Sequence, residues 1–163
     1  MADTLIIGYG NSLRGDDGLG WHAADRLTDI LHETKARVIA CHQLAPELAE
    51  PVSRAGLVIF IDAERLRPAG RLFRRRIRPA AAPPPAFSHH LTPAGLLGWA
   101  KAMYGSSPQA MVFSVSGESF SFGEKLSPAV SAVLRELTEQ VCELVRRREK
   151  RDTRKLKPAG VAE

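Results

Sequence analysis

The sequence predicts an α/β three-layer sandwich, a mostly parallel, doubly wound five-stranded sheet with helices on both faces. Three observations carry this. β-prone apolar runs alternate with segments of helical periodicity through most of the chain. Two of those runs, at residues 5–9 and 57–61, are almost continuously apolar, as in strands covered on both faces. The first runs into a glycine turn and then a helical pattern, the opening unit expected of such a sheet.

The elements follow in order. Residues 4–9 read as the first strand. From 18 to 31 the apolar residues Leu19, Ala23, Leu27, Ile30 and Leu31 recur at helical spacing. A second strand is expected at 37–41. A short helix at 46–55 is expected to break or restart near Pro51. Residues 57–61 form the most β-prone run, ending at Asp62. A fourth strand at 71–77 carries three consecutive arginines, which suit an exposed edge. The Ala/Pro-rich stretch 79–85 is a loop. A helix is expected at 92–104, with Pro93 in its first turn. A fifth strand at 110–115 precedes a loop at 116–125. The last helix starts with Ser127 as N-cap and Pro128 at its first position. It presents Val130, Val133 or Leu134, Leu137, Val141 and Leu144 or Val145 along one stripe.

The length of 163 residues fits one domain with a real core. The net charge of +5 resides entirely in residues 146–163, so residues 1–145 are neutral. The basic character therefore belongs to a tail, not to a binding face. We read 1–147 as one α/β domain and 148–163 as a basic, disordered tail. Cys41 and Cys142 have neither zinc-knuckle nor redox-pair spacing. No signal peptide or bilayer-spanning run is evident, so a cytoplasmic protein without membrane or nucleic-acid partners is expected.

In open α/β sheets, ligands bind beyond the carboxyl ends of the strands, where strand order reverses. Asp17 lies in the loop after the first strand and Asp62 at the end of the third. With an order beginning 2-1-3, these carboxylates become neighbours. The Ser88-His89-His90 cluster follows the fourth strand and can project at the same edge. Two carboxylates and an imidazole suit a divalent transition metal with open positions, as metal-assisted hydrolysis requires. Asp16 reads as the cap of the following helix, and Asn11 as a turn residue able to donate its amide across the cleft. His22, His32 and His42 read as surface or satisfied groups, and Trp21 and Trp99 as packing.

A nucleotide is not expected. After Gly8-x-Gly10 the fingerprint needs glycine where Leu13 stands, and His42 rather than an acid follows the second strand. No phosphate loop, His-Glu-x-x-His or Gly-x-Ser-x-Gly occurs.

The run from Gly8 to Gly20 resembles the N-terminal signature of the hydrogenase maturation endopeptidases. Val58-Ile59-Phe60-Ile61-Asp62-Ala63 is similar to their second motif block, and Ser88-His89-His90-Leu91 to their third. Gly117-Glu118 through Ser127 is similar to their final loop and helix start. The resemblance spans residues 4–145. It implies an endopeptidase that clips the C-terminal extension from the [NiFe]-hydrogenase large-subunit precursor after nickel insertion. The Ni²⁺ is then carried by the substrate and recognised jointly by Asp17, Asp62 and His89. The family pattern of a hydroxyl residue before the ligand favours His89 over His90. Gly10, Asn11, Asp16, His90 and Gly117 are expected to support the site, and the protein to be a monomer. A non-proteolytic metal chaperone on the same fold, and an adaptor acting through the basic tail, are the competing readings.

Overall fold

The structure, a computed structural model, describes residues 3–82, 85 and 90–156. Strand β1 (Thr4–Tyr9) is flanked by β2 (Arg37–Cys41) and β3 (Leu57–Glu64), both parallel to it. β5 (Gln109–Ser116) lies parallel beyond β3, and β4 (Leu72–Ile77) closes the sheet antiparallel to β5. The order is β2-β1-β3-β5-β4, with the expected 2-1-3 start. β4 is the exception to parallel pairing, and chain length explains it. A parallel crossover needs about a dozen residues or more, but only residues 65–71 join β3 to β4.

Burial along the strands alternates between the two faces. Ile6, Ile59 and Ile61 face helices α1 (Leu19–Ile30) and α4 (Pro128–Leu156). Leu5, Ile7, Val58 and Phe60 face α2 (Ala49–Arg54) and α3 (Pro93–Tyr104). Each fully buried side chain of this kind contributes about 1.5–3 kcal/mol.

The helix ends follow local chemistry. Thr92 Oγ1 accepts the Gly95 N–H at 3.1 Å, Pro93 occupies the first turn of α3, and Gly105 ends that helix at φ 70°. Ser127 Oγ accepts the Val130 N–H at 3.4 Å, as expected of an N-cap for α4. The helix expected at 46–55 is instead a 3₁₀ turn, Pro46–Leu48, followed by α2. The change falls before Pro51, where α2 begins, and Pro51 sits in its first turn without needing an N–H.

α4 does not fray at 148. It continues to Leu156, so residues 148–156 of the expected tail are helical; 157–163 lie outside the described residues. Arg148 Nε donates to Asp3 Oδ2 at 2.8 Å, and Lys35 N–H donates to Glu149 Oε1 at 2.7 Å. These contacts tie the helix end to the body. Among the described residues no helix is long and apolar enough to cross a membrane.

The glycine turn after β1 permits an unusually close helix–strand approach. A Cβ on Gly8 would lie 2.0 Å from Gly20 O, and one on Gly20 would lie 2.4 Å from Tyr9 N. Both obstacles are backbone and cannot rotate away. Gly8→Ala should therefore cost about 3 kcal/mol or more. In urea the midpoint should fall with the m-value unchanged.

Candidate active site at the carboxyl edge

The loop after β1 is shaped to hold one carboxylate. Gly10 adopts φ 141°, and a Cβ there would lie 2.1 Å from Asp17 O. Only glycine lets the chain double back this tightly. The Asn11 N–H then donates to Asp17 Oδ2 at 2.7 Å. Asn11 Oδ1 accepts the Leu13 N–H at 2.9 Å, closing an Asx turn. Asn11 thus positions Asp17 through its backbone, and its side-chain oxygen closes the turn. Trp21 Nε1 donates to Gly10 O at 2.8 Å, pinning the same glycine from α1. Trp21 is more than packing.

Asp16 does not cap the helix that follows it, and no side chain caps α1. It is fully buried. Its Oδ2 accepts from Glu118 N at 2.8 Å, Ser119 N at 3.0 Å and Ser127 Oγ at 2.8 Å, and its Oδ1 from Ser127 N at 2.7 Å. The loop before α4 is thereby fastened to the first loop. Backbone bonds reinforce the junction: Gly15 N to Gly123 O at 2.9 Å and Gly123 N to Leu13 O at 2.8 Å. Gly117 N donates to Glu64 O at 2.8 Å, extending the seam to β3. Burial pushes the Asp16 carboxyl up, but the donors outweigh it and hold the pKa below the ordinary range.

Asp62 sits inside β3, because the strand runs on to Glu64 rather than ending there. It shares a face with Val58 and Phe60, toward α3. Asp62 Oδ1 accepts the Ala63 N–H at 2.8 Å. Burial raises its pKa to about 7; Ala63 N–H and the Tyr9 hydroxyl oppose this, and the charges of Asp17 and Glu64 add to it. Burial, then the Asp62 charge, drives the Tyr9 phenol upward in turn. Ser114 is the cross-strand neighbour of Asp62, fully buried, its Oγ without a partner among the described residues.

These groups converge. A cleft of about 340 Å³ is lined by Tyr9, Gly10, Asp17, Asp62, His42 and His90, with Leu91 to Pro93 along one side. The two acids expected to meet do meet. His90 lines the same cleft, though not by the expected route. β4 is antiparallel, so its carboxyl end lies at the opposite sheet edge, beside Ala110. His90 and Leu91 to Pro93, at the start of α3, nevertheless line the cleft. His89 and Ser88 lie outside the described residues. Among the described residues no three His, Cys, Asp or Glu side chains are close enough to hold a metal ion. The donor chemistry still fits a cation at two points. Each acid has one oxygen on a backbone N–H and no second backbone donor among the described residues, and the Tyr9 hydroxyl lies against the Asp62 carboxyl.

Tyr9, Trp21, His42 and Ser114 were not expected at the site. Tyr9 ends β1 and His42 directly follows β2, and that position at two adjacent strands was the available signal.

No protein-family profile matches the chain, and no curated protein matches it in sequence. Solved structures do match. The [NiFe] hydrogenase maturation protease HycI from Thermococcus kodakarensis KOD1 superposes with a TM-score of 0.70 at 21% identity, over 89% of this chain and 93% of that one. The fold is that of the hydrogenase maturation proteases. The hydrogenase 2 maturation peptidase from Thaumarchaeota archaeon SCGC_AB-539-E09 gives a TM-score of 0.67 at 23% identity, covering 86% and 96% of the two chains. The hydrogenase maturating endopeptidase HybD from E. coli gives 0.67 at 22%, covering 88% and 92%. These bear the family name that the motif blocks resemble.

Two outcomes follow for stability. Asp62 binds its proton more tightly folded than unfolded, so folding is favoured below about pH 4 and weakened as pH rises toward about 7. Asp62→Asn should melt higher than the parent at about pH 8, with the gap closing by about pH 4. Asp16 has the opposite sign: its contribution is present above about pH 4 and lost as pH falls through its lowered folded value. Asp16→Ala strands several buried donors and should cost about 3 kcal/mol or more at neutral pH, read by chemical denaturation.

Proposed function

We propose that this chain is an endopeptidase that removes the C-terminal extension of the nickel-loaded [NiFe]-hydrogenase large-subunit precursor. The observation that carries this reading is the meeting of Asp17 and Asp62 in one cleft at the carboxyl edge, beside His90. The fold shared with maturation proteases and the four ordered motif blocks support it. In this reading Asp17, Asp62 and His89 contact the precursor's Ni²⁺, and His90 is the alternative imidazole. The nickel belongs to the substrate. It polarises a water or the scissile carbonyl for hydrolysis.

The chain's own residues position the substrate. Asn11 N–H and Gly10 hold Asp17 at the cleft floor, and Ala63 N–H orients Asp62. Docking the metal places the scissile bond beside it, and this positioning supplies much of the rate and selectivity. A cation arriving at Asp62 displaces its proton, so precursor binding near pH 7 should be stronger at higher pH. We further propose that the protein works as a monomer in the cytoplasm.

The experiment uses purified nickel-loaded precursor and follows its shortening on a gel. Asp17→Ala and Asp62→Ala should each reduce cleavage by about 100-fold or more, as expected when positioning is lost. His89→Ala should do the same, with His90→Ala much milder. The reverse ranking would move the ligand to His90. Unimpaired cleavage by all the variants would defeat the assignment. A precursor that binds but keeps its length would leave a metal chaperone instead.

A further inference from the structure

Two basic runs far apart in sequence line a single groove. Arg74, Arg76 and Arg78, in and just after β4, form one wall; Arg147, Arg148 and Arg151 of α4 form the other. The groove encloses about 530 Å³. It lies beside Leu57, Gln109 and Ala110, where β3 and β5 begin, at the edge of the sheet opposite Asp17 and Asp62. Among the described residues no acidic side chain lines it. Its apolar surface comes from Leu57, Ile77, Met111 and Leu144.

The internal neutralisation is partial. Arg148 pairs with Asp3 at 2.8 Å and Arg147 with Glu143. Among the described residues Arg74, Arg76, Arg78 and Arg151 have no carboxylate within ion-pair distance. Arg74 only lies over the Phe113 ring, 5.5 Å from its centroid. Edge protection alone explains arginines on β4. It does not explain a second row facing them, because like charges across a groove repel. Guanidinium groups on both walls match planar carboxylates or phosphates.

We propose that this groove binds an acidic segment of a protein partner. Charge complementarity demands an anionic occupant. The apolar surface between the arginine rows suits a segment with aliphatic side chains among its acids. Among the described residues no aromatic side chain lines the groove to stack a base, as single-stranded nucleic acid prefers. A concave site does not match a lipid surface. The proposal is independent of the chemistry in the cleft, and either can fail alone.

The test measures fluorescence anisotropy of the full chain with a short labelled peptide of repeating Glu-Leu-Glu-Glu. The comparison probes are single-stranded and duplex DNA and phosphatidylserine vesicles. The peptide should bind, and more weakly as salt rises. Arg76→Glu and Arg151→Glu should each weaken binding by about ten-fold or more, from opposite walls. Arg75→Glu makes the same charge change outside the groove, where Arg75 pairs with Glu64 at 3.3 Å, and should weaken it far less. All three arginines are exposed, so circular dichroism should show unchanged folding. Absence of peptide binding would overturn the proposal. So would equal losses in the Arg75 and Arg76 variants, or tighter binding of DNA or vesicles than of peptide.

Discussion

The Asp16 carboxylate is the fastening on which the carboxyl edge depends. It is fully buried and satisfied by donors from Glu118, Ser119 and Ser127. These donors belong to the last loop and the start of α4, more than a hundred positions along the chain. One charge thus holds together the first and last loops of the sheet. A buried carboxylate is tolerated only when its lone pairs are used, and here they are. Its neighbour Asp17 is thereby released for the cleft. Two adjacent acids have opposite duties because successive side chains leave the backbone in different directions.

The cleft owes its character to imbalance. Asp16 has more donors than its burial requires, and its proton is held off. Asp62 has fewer, and its proton is retained to about pH 7. Tyr9 beside it is pushed further from ionisation. Such a site is poorly satisfied by the protein alone. Sites that perturb their own titration in this way are where binding and catalysis concentrate. The fold bears this cost at the edge where the strands diverge and solvent can enter.

Much of this was legible in the residues. The alternation of β-prone and helical segments specified the layers, and apolar runs specified the buried strands. The placement of Asp17 and Asp62 followed from a general property of parallel sheets. The Asp16 clamp was not legible, because a local reading assigns an acid before a helix to that helix. Its true partners are remote in sequence, and no periodicity announces them. The direction of β4 was missed for a related reason: propensity marks a strand but carries no direction. The short 65–71 connection held that information, and only a length argument extracts it. The end of α4 was misread because its arginines and lysines resemble a solvated tail. The anchors at Asp3 and Lys35 that tie it down are long-range.

The sheet order has a consequence for how the chain is made. β5 lies between β3 and β4, yet it is synthesised after both. When β4 leaves the ribosome, β5, the strand it pairs with, does not yet exist. It must wait as an unpaired strand while the intervening segment and then β5 are added. An unpaired edge at that stage invites pairing with other nascent chains. Arg74, Arg75 and Arg76 keep it charged during that interval, and so shield an assembly step that leaves no trace in the finished sheet.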